Sequence, residues 1–330
     1  MTWECLDWEV LDRLRENFLT GPAGGPYWHT ITDLECYDFT YGERIGWKWD
    51  AVLRELKMHG WTPPADATVL DWGCGSGIAG RRVVEFFGPA NFSRLVLHDH
   101  SALALDFAEH AARKTFPRPV VERASTRFLR GDERIGVLVI SHVLNELDDN
   151  ARMELRELAA RAETILWVEP GTHEVSRLLG AWREKLIAEF RVIAPCTHLA
   201  ACGMFAPGNE RHWCHFFAAP PVGVLADSGW VRFGQRAGID LRSLPYSFLV
   251  LDRRPASAGE IGLARIIGEP RHYKGYAKVF GCSAAGVADL TMQKRDAPAV
   301  FKALKHADGP LIYRWTRTGD RVSDVTPRFG

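Results

Sequence analysis

Four of the seven cysteines in this 330-residue chain have the placement of metal ligands. Cys196, Cys202 and Cys214 lie in APCTHLAACGMFAPGNERHWCHFF (194–217) as C-x5-C-x11-C, and Cys282 follows in YAKVFGC. Four thiolates can complete a tetrahedral zinc site or a [4Fe-4S] cluster. Structural zinc usually sits in tight C-x2-C knuckles, and none occurs here. Single cysteines far apart suit the larger cluster better, with zinc open as the alternative. His198, His212 and His215 are possible substitute ligands. Cys5 and Cys36 have no comparable setting.

A second constellation is VLDWGCGSG (69–77). A strand is expected to end near Asp71, and Gly73, Gly75 and Gly77 let the following turn approach a ligand closely. From Gly75 the stretch also reads G-x-G-x-x-G, which suggests a dinucleotide. However, Asp71 lies where that fingerprint has an apolar strand residue, and a carboxylate suits an ammonium-bearing ligand better than a pyrophosphate. A second acid, Asp99, ends the next strand and is followed by Ser101. SHVLNEL (141–147) follows the fourth strand, so Ser141 and His142 are candidate pocket residues, and His142, Asn145 and Glu146 are candidate catalytic groups. Capping and exposure explain Asn145 and Glu146 equally well. Cys74 reads as packing.

These residues must be positioned by an α/β framework. Apolar strands are predicted at 68–72, 94–99, 119–122, 135–141 and 164–169, with helices near 78–87, 102–114, 148–162 and 173–190. Near-continuous apolar strands alternating with amphipathic helices imply a parallel sheet covered on both faces. Residues 1–60 read as a helical segment interrupted by the turn-rich GPAGGPYWHT (21–30). Residues 61–254 form the sheet domain carrying the cysteine-rich loop, and a helix is expected near 223–238 and a strand near 247–252. After the linker RRPASAG (253–259), residues 255–330 read as a small β-rich module with strands in LARII, YAKVFG and VADLTMQ and a short helix near 298–306. A cluster held by all four cysteines would staple that module to the sheet domain.

Net charge is zero over the chain, yet from Pro255 onward there are twelve Lys and Arg against seven Asp and Glu. A basic module suggests an anionic partner. In RHYKGYAK, Arg271, Lys274 and Lys278 alternate with Tyr273 and Tyr276, a pattern able to meet phosphates and stack on RNA bases. An edge strand protected by lysines accounts for the same residues. No apolar run approaches the ~18 residues of a membrane span. MTWECLDWEV has neither a signal nor a transit-peptide character, so a cytoplasmic protein with reduced thiols is expected. A monomer is the default expectation.

Asp71 with its glycine turn, followed by Asp99, resembles the first motifs of class I S-adenosylmethionine (SAM) methyltransferases. The resemblance implies that Asp71, Gly73, Gly75 and Gly77 hold the methionine end, that Asp99 holds the ribose, and that SHVLNEL lines the reactive side. The NPPY-like motif that holds an amino-bearing base is absent. With VEPGT (168–172), APC-x5-C and WCHF (213–216) added, the chain resembles the methyltransferase-like proteins of the small ribosomal subunit from about Tyr37 onward. That resemblance implies a [4Fe-4S] cluster on Cys196, Cys202, Cys214 and Cys282, and action on small-subunit ribosomal RNA, as a methyltransferase or an assembly factor. Gly203 replaces a familiar proline, and the loop between the second and third cysteines is long; neither change removes a ligand.

Overall fold

A computed structural model describes residues 1–20, 27–255, 260–306 and 311–329. Residues 21–26 of the N-terminal turn-rich stretch and 256–259 of the linker lie outside them. Helices α1 (Trp8–Thr20), α2 (Ile31–Tyr37) and α3 (Glu43–Met58) come first. An alternating run follows: β1 (Ala67–Trp72), α4 (Ile78–Phe87), β2 (Phe92–His98), α5 (Ala102–Thr115), β3 (Val120–Arg123), α6 (Thr126–Arg130), β4 (Ile135–Ser141), α7 (Asp149–Arg161), β5 (Ala162–Pro170) and α8 (His173–Leu186). Then come β6 (Arg191–Ala194), β7 (Phe216–Ala218), α9 (Ser228–Ala237) and β8 (Leu244–Asp252). Strands β9 (Leu263–His272), β10 (Tyr276–Ser283) and β11 (Gly286–Gln293), helix α10 (Pro298–Ala303), and strands β12 (Ile312–Thr318) and β13 (Arg321–Pro327) complete the chain.

Two compact units result, and neither is continuous in sequence. The first comprises residues 1–57, 62–168 and 220–244. Its strands lie in the order β3-β2-β1-β4-β5, all parallel, with Leu70 of β1 opposite both Val96 and Leu138. This is a Rossmann-like sheet, and the reversal of strand order between β1 and β4 opens a crevice at their carboxyl ends. Each central strand is buried on both faces, which explains runs such as IGVLVIS. The N-terminal helices belong to this unit. Asp7 caps α1 by accepting from the amides of Glu9 and Val10, so the helix starts at Trp8. A capping box between Thr30 and Asp33 starts α2. Helix α9 joins the same unit because Trp230 packs against Trp3 and Trp47, with ring centroids 5.1 and 4.7 Å apart.

The second unit comprises residues 58–61, 169–219 and 245–330. In it β8 pairs antiparallel with β6 and also pairs β7. The last five strands close into a barrel in the order β10-β11-β13-β12-β9. Only the β11–β13 contact is parallel. Ile266, Val279, Leu290, Met292, Tyr313 and Val322 fill the barrel, and Val300 and Leu304 pack against them from α10 and its end. Two of these strands, β12 and β13, go beyond the sequence-based expectation. The cysteine-rich stretch 194–217 packs in this unit together with the barrel.

Candidate functional site

At the carboxyl ends of β1, β2 and β4 lies a cavity of about 680 Å3, lined by Gly73, Gly75 and Ser76 of the glycine turn but not by Gly77, by Asp99 and Ser101, and by Ser141, His142 and Glu146. The turn is built by glycine's conformational freedom. Gly73, Gly75 and Gly77 have φ of +70°, +53° and +77°, values that cost other residues a clash with the backbone. A Cβ on Gly73 would also stand 2.7 Å from Val143 Cγ1. Asp99 fastens the turn to β2: its Oδ2 accepts from the Gly75 amide at 2.8 Å and its Oδ1 from the Ser101 amide at 2.8 Å. Each oxygen keeps a lone pair for a ligand. Ser101 also caps α5 through the Ala104 amide.

Asp71 is placed differently from Asp99. It is fully buried, is not among the cavity-lining residues, and turns its Oδ2 back to the Gly80 amide at 2.9 Å. Its Oδ1 has no partner, and burial pushes its carboxyl up to about 7. Its position is that of a brace beneath the turn. Cys74 is buried within the turn, as packing requires.

Past β4, His142 adopts a left-handed φ of +56°. Lys48 of α3 donates to its Nε2 at 3.2 Å. An ammonium can only donate, so the ring proton sits on Nδ1 and is shared with Ser141 Oγ, 3.3 Å away. The Trp49 indole also donates to that hydroxyl, at 3.0 Å. Ser141 thus accepts twice, leaving its own hydrogen as a donor. Burial, then the charges of Lys48 and Arg44, hold the His142 pKa well below its ordinary value, so the ring is neutral. Glu146 lines the cavity and accepts from the Tyr27 hydroxyl at 3.3 Å. Asn145 is exposed and does not line it.

Sequence reasoning missed Lys48 and an aromatic wall. Phe18, Tyr27, Trp28 and Tyr37 all line the cavity, with Trp28 and Tyr37 edge to face at 4.9 Å. The available signal was the pair Tyr27-Trp28, rings too large for a turn-rich stretch without a surface to cover.

In the second unit the four candidate ligand cysteines are each half-buried and free. Arg183, only 3% exposed although on the apolar face of α8, donates to Cys196 Sγ at 3.2 Å and to the carbonyls of His198 and Ala200. Cys282 Sγ lies 3.6 Å from His198 Nε2. Its strand neighbours are Val287 and Arg265. Gly203, next to Cys202, lies so close to that hairpin that a Cβ would stand 2.8 Å from the Val287 amide. Burial pushes the Cys282 thiol up to about 12. Cys214 is also raised, by burial and then by the charges that Cys196, Cys282 and Cys202 would carry. The four cysteines therefore lie within electrostatic range of one another. Among the described residues no three His, Cys, Asp or Glu side chains converge tightly enough to hold one metal ion. A zinc ion needs every sulfur about 2.3 Å from a single point, whereas a four-iron cluster spreads its thiolates over separate irons.

The loop also holds the barrel without any metal. Arg265 donates to the Pro195 carbonyl at 3.1 Å, Thr197 to the Leu263 carbonyl at 3.1 Å and the Gly268 amide to the His215 carbonyl at 2.9 Å. His212 stacks on Phe280 at 4.5 Å. A cluster would reinforce a junction of loop and barrel that these contacts already make.

RHYKGYAK forms the β9–β10 hairpin. Lys278 lies on β10, which is paired there with both β9 and β11, so the edge-strand account does not apply to it. Tyr273 and Tyr276 stack at 4.6 Å with 12° between their planes. Arg271 pairs with Asp289 at 2.6 Å, Lys278 with Asp320 at 3.5 Å, and Lys274 is exposed at the tip. No described helix is long and apolar enough to cross a membrane.

None of the curated proteins compared matches the chain. Among solved structures, magnesium protoporphyrin IX methyltransferase from Synechocystis PCC 6803, with bound SAH, is similar at 12% identity and a TM-score of 0.40, covering 75% of this chain and 95% of that one. A SAM dependent methyltransferase from Aquifex aeolicus is similar at 15% identity and a TM-score of 0.38, covering 50% of this chain and 90% of that one. The sequence profile described as "Mitochondrial small ribosomal subunit Rsm22" matches residues 46–312, most of the chain. The chain belongs to the Rsm22 family.

Proposed function

We propose that this protein is a SAM-binding, methyltransferase-like factor that acts on small-subunit ribosomal RNA and carries a [4Fe-4S] cluster. The observation that carries the reading is the cavity at the switch point of the sheet, with Asp99, Gly73 and Gly75 on its wall, in a chain of a small-ribosomal-subunit family. When bound, SAM supplies an electrophilic methyl group. Asp99 would accept from ribose hydroxyls with its remaining lone pairs. The Gly73–Gly77 turn would offer backbone groups to the amino-acid end, with Asp71 bracing it from below. Tyr27, Trp28 and Tyr37 offer flat faces for a base. Methyl transfer of this kind rests largely on positioning, so the absence of an NPPY-like motif does not remove the activity.

Cys196, Cys202, Cys214 and Cys282 would hold the cluster, with zinc as the alternative occupant. What supports this reading is the donor chemistry: Cys196 beside Arg183 and Cys282 beside Arg265, two cations at most 3% exposed whose charges would offset those of thiolates. Its contribution would be to stabilise the junction of loop and barrel.

A non-catalytic assembly factor is the second reading, and His142 favours it. Both ring nitrogens are engaged, by Lys48 and Ser141, which leaves no free base there. The two readings separate in an assay of labelled methyl incorporation from SAM into immature small subunits. Incorporation that is lost in Asp99→Ala supports transfer. Stable association with subunits without incorporation supports the assembly factor. Failure to associate contradicts both.

A further inference from the structure

Strand order in the barrel carries an inference about its ligand. β9, β10 and β11 form an antiparallel meander, α10 follows, β12 and β13 form a hairpin, and closure comes from the parallel β11–β13 and antiparallel β12–β9 contacts. This is the topology of the OB-fold. In that fold, oligonucleotides lie across the second and third strands, flanked by the loops between strands one and two and between strands four and five. Here those strands are β10 and β11, and the loops are the Tyr273–Gly275 tip and the β12–β13 turn at Gly319.

Half of that face is covered from within the unit. His212 stacks on Phe280, and Gly203 sits against Val287. The other half, toward the hairpin tip, carries the stacked rings of Tyr273 and Tyr276, exposed Lys274, and Lys278. The β12–β13 turn is held against it: the Thr291 amide donates to the Asp320 carbonyl at 2.6 Å, and Lys278 lies 3.5 Å from the Asp320 carboxylate. Tyr273 is 47% exposed although it stacks on Tyr276. A pre-stacked aromatic pair with one exposed ring and adjacent cations is the arrangement that receives unstacked bases.

We infer that this open half of the barrel face is a binding site for single-stranded RNA, in which a base stacks on Tyr273 and Lys274 meets a phosphate. The inference deepens the RNA-directed reading above and names its contact surface. It does not depend on SAM binding.

Fluorescence anisotropy of the full-length chain tests it, using a labelled single-stranded RNA of about twelve nucleotides, within the usual site sizes, and a duplex of the same length. The single strand should bind more tightly than the duplex. Tyr273→Ala should weaken it about five- to a hundredfold, whereas Tyr273→Phe, which keeps the ring, should bind as the wild type. Lys274→Ala should make the log–log salt dependence shallower by about 0.7. Asp99→Ala should leave oligonucleotide binding unchanged, and Tyr273→Ala should leave SAM binding unchanged, so failure of this inference is separable from failure of the cofactor reading. Duplex binding as tight as single-strand binding, or Tyr273→Ala binding as tightly as the wild type, overturns it.

Discussion

At the glycine turn the backbone does the organising, and at the cysteine loop side chains do. The turn of the first unit is shaped by three positive-φ glycines and fastened by Asp99 to two amides. It is preorganised before any ligand arrives. The cysteine loop instead gathers four cysteines, and burial pushes the thiols of Cys202, Cys214 and Cys282 up, the last to about 12. A metal reverses that preference, because it binds the thiolate and expels the proton. One site is shaped without its ligand, and the other would be stabilised by a metal.

That difference predicts unequal responses to perturbation. The largest concerns the cysteines. In anaerobically prepared protein, Cys214→Ser should lose iron from about four per chain. Thermal unfolding should fall by on the order of 10 °C, the equivalent of several kcal/mol. The barrel should remain attached, because Arg265, Thr197 and His212 still hold the loop. Unchanged iron content and melting would remove Cys214 from the ligand set.

Gly73→Ala should cost roughly 2–5 kcal/mol in urea unfolding. About 1–2 comes from the left-handed conformation, and about 1–3 from crowding against Val143. Adding Val143→Ala should recover only the crowding part. A variant as stable as the wild type would mean that the turn is not as rigid as described.

Asp71 gives a smaller effect with a sign. Its folded pKa, about 7, lies above the ordinary carboxylate range. Its contribution to stability is therefore fully present at about pH 4 and lost as pH rises to about 7. Asp71→Asn keeps an acceptor for the Gly80 amide and cannot ionise. The variant should gain on the wild type by about 1.4 kcal/mol per pH unit across that window, followed by urea midpoints. A constant difference across the window would contradict the buried-brace role.

The two regions also differed in how much the sequence disclosed. The glycine turn was legible because positive φ demands glycine at fixed spacing, and β4 was legible because a strand buried on both faces is apolar throughout. Cys196, Cys202, Cys214 and Cys282 stood out by residue type alone. Lys48 and the aromatic wall were not legible. Lys48 meets His142 across more than ninety residues of chain, and Trp49 beside it has the look of an ordinary core residue. Strands β12 and β13 were missed because a small barrel needs few inward residues. Ile312, Tyr313 and Val322 are buried, while most of their strand neighbours are charged or polar and exposed. Arg183 sits where periodicity predicts an apolar residue, and only the fold shows that it faces Cys196.

The central claim is that the first unit's cavity holds SAM on Asp99, and calorimetric titration of SAM into the full-length chain tests it most directly. The wild type should bind one equivalent. Asp99→Ala should bind about ten- to a hundredfold more weakly, as expected for loss of a charged acceptor worth about 1.5–3 kcal/mol. Equal affinity for the two proteins, or no binding to the wild type, would contradict the account.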